Sequence, residues 1–150
     1  FKISQNNIKD GLQKVVTNTS LKGRWQQLGS SPRVFCDTGH NEDGVKQVLK
    51  MIASHSFNQL RMVWGMVRDK DHSKVLSLLP KNATYYFCEA KIPRALPAAD
   101  MQQLAAGFSL HGEVVADVNE ALARARQEAG PNDFIFVGGS TFVVAELNEI

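Results

Sequence analysis

Five consecutive residues, from Asp37 to Asn41, carry side chains that can bind a nucleotide or another anion. They read Asp-Thr-Gly-His-Asn and directly follow the apolar run 34–36. The carboxylate can accept hydrogen bonds from ribose hydroxyls, and the imidazole and the amide can donate to phosphate oxygens or base edges. The same spacing fits a strand-to-helix turn in which Asp37 or Asn41 caps the helix. Both interpretations remain open on these residues alone.

Two later segments also place polar groups directly after apolar runs. Lys70 lies between Asp69 and Asp71, where its ammonium could pair with a substrate carboxylate or belong to a solvated charge cluster that caps the next helix. Residues 138–140 read Gly-Gly-Ser. Their free backbone N–H groups suit a phosphate or a carboxylate, although on its own the segment favours a plain turn with Ser140 as helix N-cap. Each segment is therefore a candidate anion site with a structural alternative.

Hydrophobic residues along the chain alternate between the spacing of strands and the spacing of helices. The predicted strands are 21–28, 33–36, 60–66, 83–88, 113–116 and 133–137. The predicted helices are 4–17, 45–52, 71–79, 99–107, 118–129 and 141–150. A short reversal joins the first two strands as an antiparallel pair. The alternation of strands and helices along the remaining chain predicts an α/β fold, with a mostly parallel sheet of about six strands and helices on both faces. We expect the first helix, with Ser4 as N-cap, to pack on that sheet.

Parallel strands end at the same edge of a sheet, and open α/β sheets bind their ligands at that edge. Three of the predicted strands lead into the polar segments 37–41, 65–71 and 138–140. We therefore expect these three segments to line one cleft.

The composition is that of one soluble globular domain. A chain of 150 residues with 43% hydrophobic and 21% charged content can bury a single core, so residues 1–150 are predicted to form one domain. No apolar run approaches the roughly 20 residues that cross a bilayer, and a scattered net charge of +2 gives no support to nucleic-acid binding. Cys36 and Cys88 lie in apolar runs, which favours reduced thiols and a cytoplasmic protein. Because Phe1 rather than Met begins the chain, we expect a piece of a longer protein.

The sequence lacks the common glycine motifs that bind phosphate. It contains no G-x-x-x-x-G-K-[ST] and no G-x-G-x-x-G, so this chain by itself would not hold a nucleoside triphosphate in the usual loop. Asp37 and His40 could form a metal pair, but no further ligand stands at an informative spacing. We expect no metal ligation by protein groups here.

Four segments resemble, in order and spacing, the C-terminal domain of bacterial folylpolyglutamate synthase and dihydrofolate synthase, which belongs to the Mur-ligase superfamily. They are Gly23-Arg24-Trp25-Gln26, Asp37 to Asn41, Gly65-Met66 with Asp69-Lys70-Asp71, and Gly138-Gly139-Ser140. The similarity extends over essentially the whole chain and includes residues 93–96. It implies a Rossmann-like glutamate-ligase domain, cut from a longer chain, that closes over a separate N-terminal ATP-binding domain carrying the phosphate loop and the magnesium ligands.

The resemblance also implies a reaction. A folate or pteroate carboxylate is activated by ATP as an acyl phosphate, and the amino group of L-glutamate then attacks it to form an amide. Carried over residue by residue, Arg24 contacts an ATP phosphate and stabilises developing charge, and Asp37 holds the ribose. His40 and Asn41 lie beside the nucleotide and the acyl phosphate. The resemblance thus implies that Arg24 and His40 are the catalytic residues.

For the amino-acid substrate, the resemblance implies that Lys70 and Ser140 receive the glutamate carboxylate. The implied ligands are ATP, Mg²⁺, L-glutamate and folate or dihydropteroate. The implied protein partner is the chain's own N-terminal domain, and we expect a monomer without nucleic acid or membrane.

The sequence departs from the family pattern at a few positions. The family usually reads Asp-Gly-Ala-His-Asn-Pro, whereas Thr38-Gly39 and Glu42 stand here. Trp25 replaces a smaller apolar residue or phenylalanine and is expected to alter packing rather than chemistry. Two alternatives stay open: a non-catalytic Rossmann-like module that binds a partner or small metabolite, and another Mur-type ligase that acts on cell-wall precursors.

Overall fold

One six-stranded sheet forms the centre of the protein, whose computed structural model describes residues 2–150. The strands are β1 (Gln26–Ser30), β2 (Arg33–Cys36), β3 (Leu60–Trp64), β4 (Thr84–Phe87), β5 (Gly112–Val114) and β6 (Phe134–Gly138). Their order across the sheet is β1-β2-β6-β3-β4-β5. Among the strand pairs of residues 2–150, only β1–β2 is antiparallel, and the other four pairs are parallel. The predicted α/β sheet with an antiparallel first strand is confirmed.

Helices cover both faces of this sheet. They are α1 (Gln5–Gln13), α2 (Val15–Thr19), α3 (Glu42–Ala53), α4 (His72–Leu76), α5 (Ala98–Ala106), α6 (Val118–Glu128) and α7 (Thr141–Ala145). Apolar residues of α3, α4 and α5 pack on one face, and those of α6 and α7 pack on the other. The prediction of helices on both faces is therefore confirmed.

The central strand β6 shows why the sheet sequences are continuously apolar. Every residue of β6 is buried. Phe134 and Phe136 belong to the core on the α3 side, whereas Ile135 and Val137 belong to the core on the α6 side. Because alternate side chains of a strand point to opposite faces, a strand covered on both faces must be apolar at every position.

The first strand begins later than predicted. Residues 21–25, which the hydrophobic pattern assigned to a strand, are not in a strand, and β1 begins at Gln26. Gly23 and Trp25 have φ angles of 71° and 41°, which are incompatible with an extended chain. A turn therefore replaces the first part of the predicted strand.

The last helix ends earlier than predicted, at Ala145 instead of Ile150. The side chain of Asn119 on α6 donates to the Glu146 carbonyl oxygen at 2.8 Å and accepts from the Asn148 N–H at 3.0 Å. These bonds occupy backbone groups that a longer helix would have paired internally. The hydrogen bonds of Asn119 to the backbone after Ala145 therefore end α7.

The N-terminal helix does not pack on the sheet, and that prediction was wrong. Ser4 caps α1 as expected, but the helix breaks at Lys14 before α2. No residue of α1 or α2 is buried, and Ile8 and Leu12 are 54% and 70% exposed. The other helices already cover both sheet faces. The apolar side of α1 consequently remains exposed.

The two cysteines are buried and free, Cys36 at the end of β2 and Cys88 just after β4. Burial and the adjacent Asp37 carboxylate raise the pKa of the Cys36 thiol to about 11, and burial also raises the pKa of Cys88. Both thiols therefore stay protonated near neutral pH and are not nucleophiles. Within residues 2–150, no helix is long and apolar enough to span a membrane.

Two identical substitutions on different helices test this architecture. In the 150-residue chain, Ile8→Ala should change the free energy of unfolding by less than about 0.5 kcal/mol, because Ile8 is exposed. Ile52→Ala on α3 should lower it by roughly 2–5 kcal/mol, because Ile52 is only 3% exposed and its loss leaves a cavity. Urea unfolding measures both, and equal losses in the two variants would contradict the exposed position of α1.

Candidate active site

The carboxyl ends of three neighbouring strands form a cleft. Strand β6 lies between β2 and β3 and pairs in parallel with both, so the segments that follow these strands meet at one edge. The cleft has a volume of about 180 Å³. Its lining residues are His40, Val67, Lys70, Arg94, Gly139, Ser140, Thr141 and Phe142. The predicted convergence of the three polar segments is therefore observed.

Asp37 anchors the turn at residues 23–25 to the segment that follows β2. Its Oδ2 accepts a hydrogen bond from the Trp25 N–H at 2.8 Å, and its Oδ1 accepts one from the Gly39 N–H at 2.7 Å. The residue is only 8% exposed. Asp37 therefore does not cap α3 but ties residues 23–25 to the end of β2.

The turn depends on a glycine at position 23. Gly23 has a φ angle of 71°, and a Cβ atom there would lie 2.8 Å from Cγ1 of Val144. Its carbonyl oxygen accepts from the Thr38 N–H at 2.9 Å, and its N–H donates to Oε1 of Gln26 at 2.8 Å. Both the conformation and the close packing exclude a larger residue.

Arg24 occupies the exposed part of this turn. Within residues 2–150 its guanidinium makes neither a hydrogen bond nor a salt bridge, although the neighbouring Trp25 N–H is bound to Asp37. The Trp25 ring stacks on Phe35 with 4.9 Å between ring centroids, which agrees with a packing role for this unusual tryptophan. The turn thus exposes the guanidinium of Arg24, which precedes the buried Asp37 by 13 positions in the sequence.

The side chains of the adjacent residues His40 and Asn41 make different hydrogen bonds. Nδ1 of His40 lies 3.0 Å from the Thr38 carbonyl oxygen. Since a carbonyl oxygen only accepts, Nδ1 carries a proton in this contact, and Nε2 is the nitrogen that can exchange one. Asn41 is the N-cap of α3, with its Oδ1 accepting from the Gly44 N–H at 2.8 Å. The helix-capping interpretation therefore holds for Asn41.

Lys70 differs from its two acidic neighbours in having no ionic partner among residues 2–150. Asp69 pairs with Arg94, whose hydrogen bond lowers the pKa of the Asp69 carboxyl. Asp71 accepts a hydrogen bond from the Ser73 hydroxyl at 2.6 Å. The charge cluster thus satisfies its acids internally and leaves the Lys70 ammonium available to a ligand.

Ser140 is 4% exposed and is the N-cap of α7. Its Oγ accepts from the Phe142 N–H at 3.2 Å, and Gly139 before it has a φ angle of 91°. The plain turn that the sequence favoured is therefore present. The same hydroxyl lines the cleft and keeps its own proton as a donor.

The sequence did not identify Arg94 as a site residue. It lies in the irregular segment after β4 and lines the cleft with Lys70. The only signal was that residues 93–96 share in the family resemblance. Its position depends on contacts between distant segments, which periodicity and spacing do not show.

A second, larger cleft lies away from these residues. It has a volume of about 440 Å³ and includes Leu49 and Ile52 of α3, Leu60 at the start of β3, and Leu78. None of the predicted site residues lines it. Among residues 2–150, no group of three or more His, Cys, Asp or Glu side chains could hold a metal ion.

Comparisons with known proteins relate this chain to one family. The family model of the Mur ligase, glutamate ligase domain, matches residues 23–141. A probable bifunctional folylpolyglutamate synthase/dihydropteroate synthase of Haloferax volcanii is 34% identical over 141 residues, which cover 91% of this chain and 16% of that protein.

Solved structures give the same relationship. The bifunctional folylpolyglutamate synthase/dihydrofolate synthase of Yersinia pestis, in complex with AMPPNP and Mn, is 28% identical with a TM-score of 0.81 and covers 97% of this chain and 34% of that one. An enzyme of the same name with Mn, AMPPNP and L-glutamate bound has the same identity, coverage and TM-score. The chain spans between 16% and 34% of the length of these relatives.

The two hydrogen bonds to Asp37 predict the effect of a conservative substitution. Asp37→Asn retains one acceptor oxygen but turns an NH₂ group toward a backbone N–H, which should lower the free energy of unfolding by about 1–3 kcal/mol. Urea unfolding of the 150-residue chain measures this loss. Asp43→Asn, an exposed acid on α3, is the matched control and should change stability by less than about 0.5 kcal/mol. Equal stability of the two variants would show that Asp37 does not hold the turn.

Proposed function

The chain belongs to the Mur ligase, glutamate ligase domain family, and on that premise we propose that it is the C-terminal part of an ATP-dependent folate–glutamate ligase. One observation carries the proposal. The candidate glutamate residues Lys70 and Ser140 and the candidate catalytic His40 line a single cleft. The identities to folylpolyglutamate synthases support the choice of substrate.

The proposed reaction joins a carboxylate to an amine in two steps. The carboxylate of a folate or dihydropteroate attacks the γ-phosphorus of ATP, which releases ADP and forms an acyl phosphate. The amino group of L-glutamate then attacks the acyl carbon. Phosphate leaves, the amine loses a proton, and an amide remains.

The turn at residues 23–25 suits the nucleotide side of this reaction. The exposed, unpaired guanidinium of Arg24 can form paired hydrogen bonds with phosphate oxygens as negative charge shifts during transfer. Each oxygen of Asp37 accepts one backbone hydrogen bond and retains capacity for a ribose hydroxyl. The free NH₂ group of Asn41 and the Nε2 of His40 complete the proposed nucleotide contacts.

The cleft beside β6 suits the amino-acid side. The Lys70 ammonium lacks an ionic partner among residues 2–150, and the Ser140 hydroxyl can donate one hydrogen bond. Both groups favour a carboxylate. A relative solved with L-glutamate bound supports glutamate as this ligand.

We place the rest of the active site in a preceding domain of a longer protein. The relatives are about three to six times longer than this chain, and the described residues contain no candidate metal cluster. The phosphate loop, the Mg²⁺ ligands and the pterin pocket are proposed to lie in that domain. We propose that this preceding domain covers the exposed apolar side of α1. We also propose that the protein is a monomer in the cytoplasm, where reducing conditions keep both cysteines as thiols.

A glutamate-incorporation assay on the full-length enzyme tests the function. Dihydropteroate and tetrahydrofolate should be compared side by side with ATP and labelled L-glutamate. We expect ATP-dependent incorporation into at least one of the two. Absence of incorporation into both, with turnover of a uridine-nucleotide cell-wall precursor instead, would assign the chain to a different Mur-type ligase.

Arg24→Ala in the full-length enzyme tests the nucleotide contact. Loss of a cation that stabilises transition-state charge should lower kcat by about 10²–10³-fold. The thermal unfolding midpoint should not change, because Arg24 is exposed and its guanidinium makes no hydrogen bond or salt bridge with residues 2–150. The matched control is Arg124→Ala on α6, where the arginine pairs with Glu113 and Glu128. Normal turnover of Arg24→Ala would remove this residue from the proposed site.

A further inference from the structure

We propose that Trp64 is a positioning residue for the cleft, because its indole ring supports the turn Gly138-Gly139 from the core side and so sets the place of the Ser140 hydroxyl. The inference rests on the proposed function, in which Ser140 receives a carboxylate of L-glutamate. Neither a motif nor the spacing of residues identified Trp64, which was predicted only as part of a strand.

The indole of Trp64 lies directly against the backbone of the turn. Trp64 is the last residue of β3 and pairs in register with Gly138 of β6. A Cβ atom on Gly139 would lie 2.7 Å from Cε2 and 3.0 Å from Cδ2 of the indole. Gly139 lines the cleft, whereas Trp64 does not and is only 1% exposed. The indole therefore forms the layer beneath this part of the cleft.

A second aromatic ring supports the other glycine of the turn. A Cβ atom on Gly138 would lie 2.5 Å from Cε1 of Phe136, and the ring centroids of Phe136 and Trp64 are 6.3 Å apart. Carbon atoms in contact lie about 3.5–4.0 Å apart, so the two rings occupy the space that side chains at positions 138 and 139 would need. The rings thus fix how close the turn comes to the core.

The indole also carries a polar atom that gains nothing from this position. Nε1 of Trp64 is buried and has no hydrogen-bond partner among residues 2–150. An unpaired buried donor destabilises a fold, and a phenylalanine would fill much of the same space without one. Departures of this kind from well-satisfied packing are expected at functional sites. The contribution of Trp64 to the cleft is therefore the shape of its ring against Gly139.

Support of Gly139 matters because Ser140 follows it directly. The Oγ of Ser140 already accepts one backbone hydrogen bond, so its hydroxyl proton remains for a ligand in the cleft. Hydrogen bonds weaken steeply away from their optimal geometry, and a displacement of about 1 Å in an active site can cost about 10²-fold in rate. The turn around Arg24 is held instead by hydrogen bonds with Asp37 and Thr38. Loss of the indole should therefore affect the use of glutamate and not that of ATP.

Steady-state kinetics of the full-length enzyme test this assignment. Trp64→Leu should raise the KM for L-glutamate about tenfold, as expected for the loss of about one hydrogen bond. The KM for ATP should change less than twofold. Trp64→Phe, which keeps an aromatic ring against the turn and removes the unpaired N–H, should show a smaller rise in the KM for L-glutamate.

A double-mutant cycle with Ser140→Ala separates positioning from a general structural role. Ser140→Ala alone should raise the KM for L-glutamate at least as much as Trp64→Leu does. If Trp64 acts through Ser140, adding Trp64→Leu to Ser140→Ala should raise this KM less than about twofold further, whereas independent effects multiply. A multiplicative rise would overturn the proposal, and so would an unaltered KM in either single variant. If Trp64→Leu does not fold, the same cycle with Trp64→Phe decides between these outcomes.

Tyr85→Leu is the matched control. Tyr85 on β4 is a fully buried aromatic residue of the same core, and its hydroxyl donates to the Pro80 carbonyl oxygen at 2.7 Å, before the start of β4 and away from the cleft. This variant should leave the KM for L-glutamate within twofold of the wild-type value. An equal rise in Tyr85→Leu and Trp64→Leu would indicate a general loss of core packing and overturn the proposal. A wild-type enzyme that incorporates no glutamate would instead contradict the proposed function itself.

Discussion

The position of β6 between β2 and β3 determines which side chains share the cleft. These three strands run parallel, so their carboxyl ends deliver His40, Ser140 and Lys70 to adjacent places along one edge. A different strand order would separate these residues by the width of one or more strands, about 5 Å each. The apolar residues of β6, buried on both faces, supply the stability that holds this order.

A second constraint connects the cleft to the turn at residues 23–25, where we propose that the nucleotide binds. Asp37 accepts hydrogen bonds from its own loop and from the turn at residues 23–25. This buried carboxylate, together with the hydrogen bond from the Thr38 N–H to the Gly23 carbonyl oxygen, holds the backbone of the turn beside the end of β2. Burial of such a group is tolerated because both oxygens are hydrogen-bonded. The same residue is proposed to contact a ribose, so substitutions at Asp37 should affect ligand binding as well as stability.

The sequence predicted the features that depend on local pattern. Short apolar runs and helical spacing located every strand and most helices, and the polar segments after three strands predicted the common edge. Features that depend on distant contacts were not predictable. The turn before β1 requires hydrogen bonds to Asp37 and Thr38, and the end of α7 requires Asn119. Spacing alone could not decide whether Asp37 or Asn41 caps α3. Arg94 lies at the cleft because the β-bridge between Val67 and Ala95 joins its loop to the loop after β3. Neither loop has a periodic hydrophobic pattern that could have predicted this contact.

A crystal structure of the full-length enzyme with a non-hydrolysable ATP analogue and L-glutamate tests the central claim most directly. We expect electron density for glutamate in the cleft, with a carboxylate oxygen within about 3 Å of Lys70 Nζ or Ser140 Oγ. The analogue's phosphates should lie beside Arg24, on the side facing the other domain. Glutamate bound outside this cleft, with Lys70 and Ser140 in contact only with solvent, would contradict the assignment of this sheet edge as half of an interdomain active site.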